Sequence, residues 1–159
     1  MKKIIFILGI IVTFLVGFTL NDLIGAGAKS SLEQEITPEE VLYPADHIKE
    51  YQLEVYPDKI IIHLQNPSLT RYLPTNSMIP TLSSTSHGIE VPFTNKNQLH
   101  KGDIIAYQTT EGLIVHRIIE LGNDKEGLYV KTKGDNNKYP DPYKVRMSQI
   151  KYVTLGVIF

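Results

Sequence analysis

The chain has 159 residues, 16 of them basic and 17 acidic, a formal net charge of −1, and no cysteine. That length holds one domain of ordinary size plus a short appendage. The near-neutral balance gives no electrostatic reason to hold nucleic acid, and the lack of cysteine excludes disulfides and thiolate-ligated zinc.

Ile4 to Leu20 is apolar except for Thr13 and Thr19. About 17 residues at ~1.5 Å rise fall slightly short of a bilayer core, and Leu23 to Ala28 extends the stretch. Lys2 and Lys3 precede it, and Asp22 is the only charge closely following. The positive-inside rule then puts the N-terminus in the cytoplasm and everything after about Lys29 outside. Ala26-Gly27-Ala28 also fits the small-x-small site at which a secretory signal is removed, so cleavage is the alternative. The apolar stretch exceeds the ~7–15 residues of a signal-peptide core, which favours a retained anchor. Val153 to Phe159 is too short for a second span. The expected organisation is a membrane anchor over residues 1–28, a linker with a short helix over 29–50, and a β-rich domain over 51–159.

Gly25 to Glu35 mixes small and polar residues, as linkers do. Thr37-Pro38-Glu39-Glu40 offers a capping threonine, a proline at the first helical position and a glutamate three residues after the cap, which predicts a short helix. Strand signals begin near Gln52. Leu53 to Tyr56 and Lys59 to Leu64 flank Pro57-Asp58, which predicts a hairpin. Further strands are expected at Ile89–Phe93, Asp103–Gln108, Leu113–Leu121, Leu128–Thr132 and Ile150–Ile158, separated by turn formers such as Thr110-Glu111-Gly112. Short strands at this spacing, with almost no helical periodicity, predict a mainly β domain of sheet or barrel-like form.

Three segments carry reactive groups. Ser77 lies in Pro74-Thr75-Asn76-Ser77-Met78-Ile79-Pro80-Thr81, where the two prolines stiffen the loop. A lone loop serine is usually solvent-facing, and its hydroxyl needs a neighbouring base to act as a nucleophile. His116 is the candidate base, and strand alternation puts it on one face with Ile114 and Ile118. A histidine on an apolar face is more often a hydrogen-bonded core residue. His47, His63, His87 and His100 match no such pattern and are expected on the surface or in loops. The third segment is Gly134-Asp135-Asn136-Asn137 with Asp141 beyond it. It lacks the glycine and distal glutamate of a calcium loop, so no metal is expected, and no cofactor is called for. An aspartate against an imidazole fixes its tautomer and stabilises its protonated form.

Joined in this order, the segments resemble the type I signal peptidases of the archaeal and endoplasmic-reticulum, Ser-His-Asp, type. Ser77-Met78-x-Pro80-Thr81 matches the nucleophile box, and Lys101-Gly102-Asp103-Ile104-Ile105-Ala106-Tyr107 the strand that follows it. His116-Arg117 stands where the bacterial enzymes carry a lysine base, and Gly134 to Asn137 with Asp141 matches the acidic box. The resemblance covers about residues 70–141 and the anchor. It departs at Thr75-Asn76-Ser77, where the family usually has Ser-Gly-Ser, and over Glu33 to Tyr56, which has no counterpart.

The resemblance implies a signal-peptidase-like β domain on one N-terminal transmembrane helix, acting as a serine endopeptidase on exported preproteins. Ser77 would be the nucleophile, His116 the base, Asp141 the aspartate that orients it and Asp135 a supporting residue. The Ser77 backbone N–H and the Thr75 hydroxyl would form the oxyanion hole. Signal peptides, membrane lipid and the translocation machinery are the implied partners. The alternatives are an anchored binding protein of the same fold without catalysis, and a maturation peptidase with a narrow substrate.

Overall fold

A computed structural model describes residues 42–159. The apolar stretch at Ile4 to Leu20, the cleavage site at Ala26 to Ala28 and the helix expected at Thr37 lie outside the described residues. Among the described residues, no helix is long and apolar enough to cross a membrane.

The described chain is mainly β, as the sequence predicts. Nine strands run β1 (Leu53–Val55), β2 (Ile60–Ile62), β3 (Ser68–Arg71), β4 (His87–Pro92), β5 (Ile104–Thr109), β6 (Gly112–Asp124), β7 (Gly127–Lys133), β8 (Val145–Arg146) and β9 (Ile150–Ile158). Single 3₁₀ turns at Glu50–Gln52, Lys96–Gln98 and Met147–Gln149 are the helical elements among the described residues. β1 and β2 form the hairpin expected around Pro57-Asp58 and pair apart from the rest. The other seven strands make one antiparallel sheet in the order β3-β4-β9-β5-β6-β7-β8.

β5 lies at the centre of this sheet, and its residues Ile104 to Tyr107 are buried on both faces. Alternation sends neighbours to different clusters. Ile105 and Tyr107 pack with Ile118, Val130, Val145 and Val153, while Ile104 packs with Met78 and Leu82. The second cluster seats the loop that carries Ser77. The register pairs Ile105 with His116 and Tyr107 with Ile114, so the histidine stands beside the central strand, 7% exposed. A register shift between Ile118 and Glu120 bends the long strand β6 past that point.

Glu90 of β4 is buried, taking hydrogen bonds from Thr70 Oγ1 at 3.0 Å and Tyr72 Oη at 3.4 Å. Burial raises its carboxyl above the ordinary carboxylate range. A raised folded pKa leaves stability intact below the unfolded value of about 4.3 and removes it as pH rises through the folded value. Glu90→Gln has no such loss. In urea titrations at pH 4 and pH 8, the variant's midpoint relative to wild type is therefore expected to move upward with pH. A gap independent of pH would contradict this account.

Candidate active site

Ser77 opens a turn closed by the Leu82 N–H donating to the Met78 carbonyl at 2.8 Å. Met78 and Leu82 are buried, so the turn is anchored through its apolar side chains while Ser77 stays half-exposed. Asn76, just before it, has φ +62°. This is the left-handed region that glycine takes freely and asparagine better than most other residues.

His116 Nε2 lies 3.2 Å from Ser77 Oγ, and His116 Nδ1 lies 2.8 Å from Asp141 Oδ2. Burial is the largest influence on Asp141 and pushes its pKa up. Hydrogen bonds from His116, Thr132 and Tyr107, with the charge of His116, outweigh burial and leave the pKa below the ordinary value. An ionised carboxylate only accepts, so Nδ1–H must donate to it, which leaves Nε2 able to take the Ser77 proton. Asp141 Oδ2 also accepts from Tyr107 Oη at 2.8 Å and Thr132 Oγ1 at 2.6 Å. Both hydroxyls are fully buried, on the central strand and on β7.

Asp135 is not within this group. Arg117 Nε and Nη2 grip its two oxygens at 2.8 and 2.7 Å, and Thr81 Oγ1 donates to Oδ2 at 2.5 Å. Here too burial pushes the pKa up, and the Arg117 and Thr81 hydrogen bonds with the charges of Arg117 and Lys133 bring it below the ordinary value. Thr75 Oγ1 stands 3.3 Å from Ser77 Oγ. Among the described residues, the hydrogen-bond partners of Ser77 Oγ are His116 and Thr75, and no lysine amine is one of them.

The acidic loop is fastened to the serine loop by its backbone. Asn136 N–H donates to the Ser77 carbonyl at 2.8 Å, and Asn136 Nδ2 to the Asn76 carbonyl at 3.1 Å. Gly134 makes this approach possible, because a Cβ there would stand 2.6 Å from the Ser77 carbonyl oxygen. Beside Ser77 and His116 opens a cleft of about 430 Å³, walled largely by Tyr72, Leu73, Met78, Leu82, Ile114 and Val115.

Tyr107 and Thr132 were invisible as site residues from sequence, since each reads as an ordinary strand position. Of the other histidines, His47, His63 and His100 lie outside the strands and 3₁₀ turns. His87 opens β4, half-exposed, and accepts a hydrogen bond from Arg71 Nε on the edge strand β3 at 2.9 Å. His47 is largely buried against Asp103.

No protein-family model matches the chain, and no solved structure does. Over 78 residues it is 31% identical to a protein of Bacillus subtilis (strain 168) named signal peptidase I W. The match covers 48% of this chain and 41% of that protein, so less than half of either is compared. This partial likeness supports a relation to the signal peptidase I family.

Two substitutions test the loop clamp. The Arg117 and Asp135 side chains are only 11% and 15% exposed, so Asp135→Asn strands a buried guanidinium and is expected to cost about 3–5 kcal/mol at neutral pH. With a lowered folded pKa, this stabilisation is present above about pH 4 and is lost as pH falls through the folded value, so the gap should narrow progressively below about pH 4 in denaturant titrations. Gly134→Ala is expected to cost about 1–3 kcal/mol by forcing the two loops apart. Wild-type stability in either variant would show that the clamp carries little.

Proposed function

We propose that this protein is a membrane-anchored serine endopeptidase that removes signal peptides from exported preproteins, of the Ser-His-Asp type found in archaea and the endoplasmic reticulum. The observation that carries the proposal is the chain of contacts from Asp141 through His116 to Ser77, at 2.8 and 3.2 Å. The partial likeness to a signal peptidase I supports the same reaction class.

In this mechanism Ser77 Oγ attacks the scissile carbonyl carbon as His116 Nε2 takes its proton. The imidazolium formed is held by ionised Asp141 and then protonates the leaving amine. Water, activated by the same imidazole, releases the acyl group and restores Ser77. The Ser77 backbone N–H and the Thr75 hydroxyl stabilise the oxyanion. Tyr107 and Thr132 act through Asp141 as positioning residues. Ile4 to Leu20 tethers the domain on the outer face, with the N-terminus in the cytoplasm. Preproteins leaving the translocation machinery then meet the site at high local concentration beside the lipid surface. The cleft beside Ser77 is largely apolar, and in this reading bulky side chains just before the cut are rejected by clash.

The test is cleavage of a preprotein with an Ala-x-Ala site by the full chain in detergent. Ser77→Ala and His116→Ala are each expected to lower the rate by about 10⁴-fold or more, and the double variant to be no worse, since the two act as one unit. Lys133→Ala should stay within a few-fold of wild type. Enlarging the last residue before the cut from Ala to Leu should stop cleavage. Wild-type rates in Ser77→Ala would remove the serine mechanism, and equal cleavage of Ala and Leu substrates would remove the signal-peptide assignment.

A further inference from the structure

The turn at His100 to Asp103 holds a cluster that proteolysis does not use. Asp103 is fully buried immediately before β5. Its Oδ1 accepts the Ala45 N–H at 2.8 Å and its Oδ2 the His100 N–H at 2.7 Å, so the carboxylate is oriented by backbone donors on both oxygens. Two imidazoles face it. His47 Nε2 is 3.0 Å from Oδ1 and His100 Nδ1 is 3.7 Å from Oδ2. One donor atom from each of the three residues lies within 4.8 Å of the others. Apart from this ion-pair contact with Asp103, the buried His47 Nε2 has no partner in hydrogen-bonding geometry.

We propose that His47, His100 and Asp103 form a binding site for one divalent transition-metal ion of the zinc class. Metal–ligand distances of about 2.0–2.1 Å in a tetrahedron set ligand–ligand edges near 3.3 Å. The contacts of 3.0 and 3.7 Å run to the two different oxygens of Asp103, and with one donor atom from each residue the three lie within 4.8 Å of one another, so modest side-chain rotation brings them to that spacing. The remaining edge joins the two imidazoles, whose ring centroids are 5.7 Å apart. It closes by rotation of His100, whose side chain is 57% exposed. Two imidazoles and one carboxylate suit zinc, nickel or ferrous iron and disfavour calcium and magnesium, which take oxygen ligands. Water completes the coordination on the exposed His100 side. The backbone N–H donors on Asp103 supply the outer support that fixes a ligating carboxylate.

The ligands come from two stretches far apart in sequence, which a glycine lets meet. Gly102 has φ +102°, and a Cβ there would stand 2.0 Å from the Tyr43 carbonyl oxygen. A bound ion would fasten the segment before β1 to the turn before β5. That turn also supplies the Gly102 carbonyl that accepts from Arg117 Nη1 at 2.8 Å.

Metal binding is independent of whether the protein cleaves preproteins, so the two proposals fail separately. Full-length protein in detergent, stripped with a chelator, is titrated with Zn²⁺ by calorimetry and with Co²⁺ by visible absorption. One equivalent of Zn²⁺ is expected to bind with micromolar or tighter affinity, to raise Tm by several degrees, and to leave on addition of chelator. Tetrahedral Co²⁺ absorption should appear with the same stoichiometry. His47→Ala and His100→Ala should each weaken binding by at least about 10-fold. His116→Ala, which removes the imidazole facing Asp141, should bind as wild type does. Because His100 is exposed, its variant is expected to fold, and circular dichroism checks that of both. Absence of one-equivalent binding, or unchanged affinity in folded His100→Ala protein, would overturn the proposal and leave a His–Asp contact only.

Discussion

The site depends on one short loop taking hold of two adjacent residues from opposite sides. His116 and Arg117 are neighbours on β6, so their side chains leave opposite faces of the strand. The loop after β7 supplies a carboxylate to each: Asp135 to Arg117 and Asp141 to His116. Between those two anchors, Asn136 donates to the backbone carbonyls on either side of the Ser77 Cα, those of Asn76 and Ser77. The imidazole and the hydroxyl are therefore located by the same loop. A shift of either carboxylate would move one without the other, and a hydrogen bond of 3.2 Å tolerates little such movement.

A second constraint is electrostatic. Asp141 Oδ2 accepts from an imidazole and two hydroxyls, which offset the cost of burying its charge. Tyr107, also buried, has its phenol pushed well above its ordinary pKa, chiefly by burial, so it stays a donor. The donors come from β5 and β7, on either side of β6, and the carboxylate they fix faces His116 on β6 itself. The polar network is thus tied to the best-packed part of the sheet. A polar group there specifies one arrangement, because every alternative leaves a buried donor or acceptor unmet.

Much of this was legible in the chain. Alternating apolar residues marked β6 and β7, and Pro57-Asp58 marked the hairpin of β1 and β2. β3 escaped notice because Ser68-Leu69-Thr70-Arg71 has a single large apolar residue, and β8 because it has two residues. The sequence pattern starts a strand at Asp103, whereas the strand begins at Ile104 and Asp103 is a buried hub for Ala45, His47 and His100. No periodicity links residues so far apart; only the fold brings them together. The choice between Asp135 and Asp141 was equally beyond spacing alone. It is decided by Arg117, whose planar fork takes Asp135 in a two-pronged grip.

The cleft beside Ser77 shows how a buried acid with a stability cost can be retained. Tyr72 lines that cleft, and its hydroxyl reaches inward to Glu90 across Gly88. A Cβ on Gly88 would stand 1.8 Å from the Tyr72 hydroxyl oxygen, so any larger residue would drive the ring out toward the cleft. Burial also lifts the Tyr72 phenol to about 12, which keeps it protonated and donating. The bond from Tyr72 to Glu90 then ties the ring to β4. An apolar residue in place of Glu90 would remove the cost of a buried carboxyl but leave the Tyr72 hydroxyl without this partner. The wall of the cleft would then be set by packing alone, and packing tolerates a range of ring positions that a hydrogen bond does not.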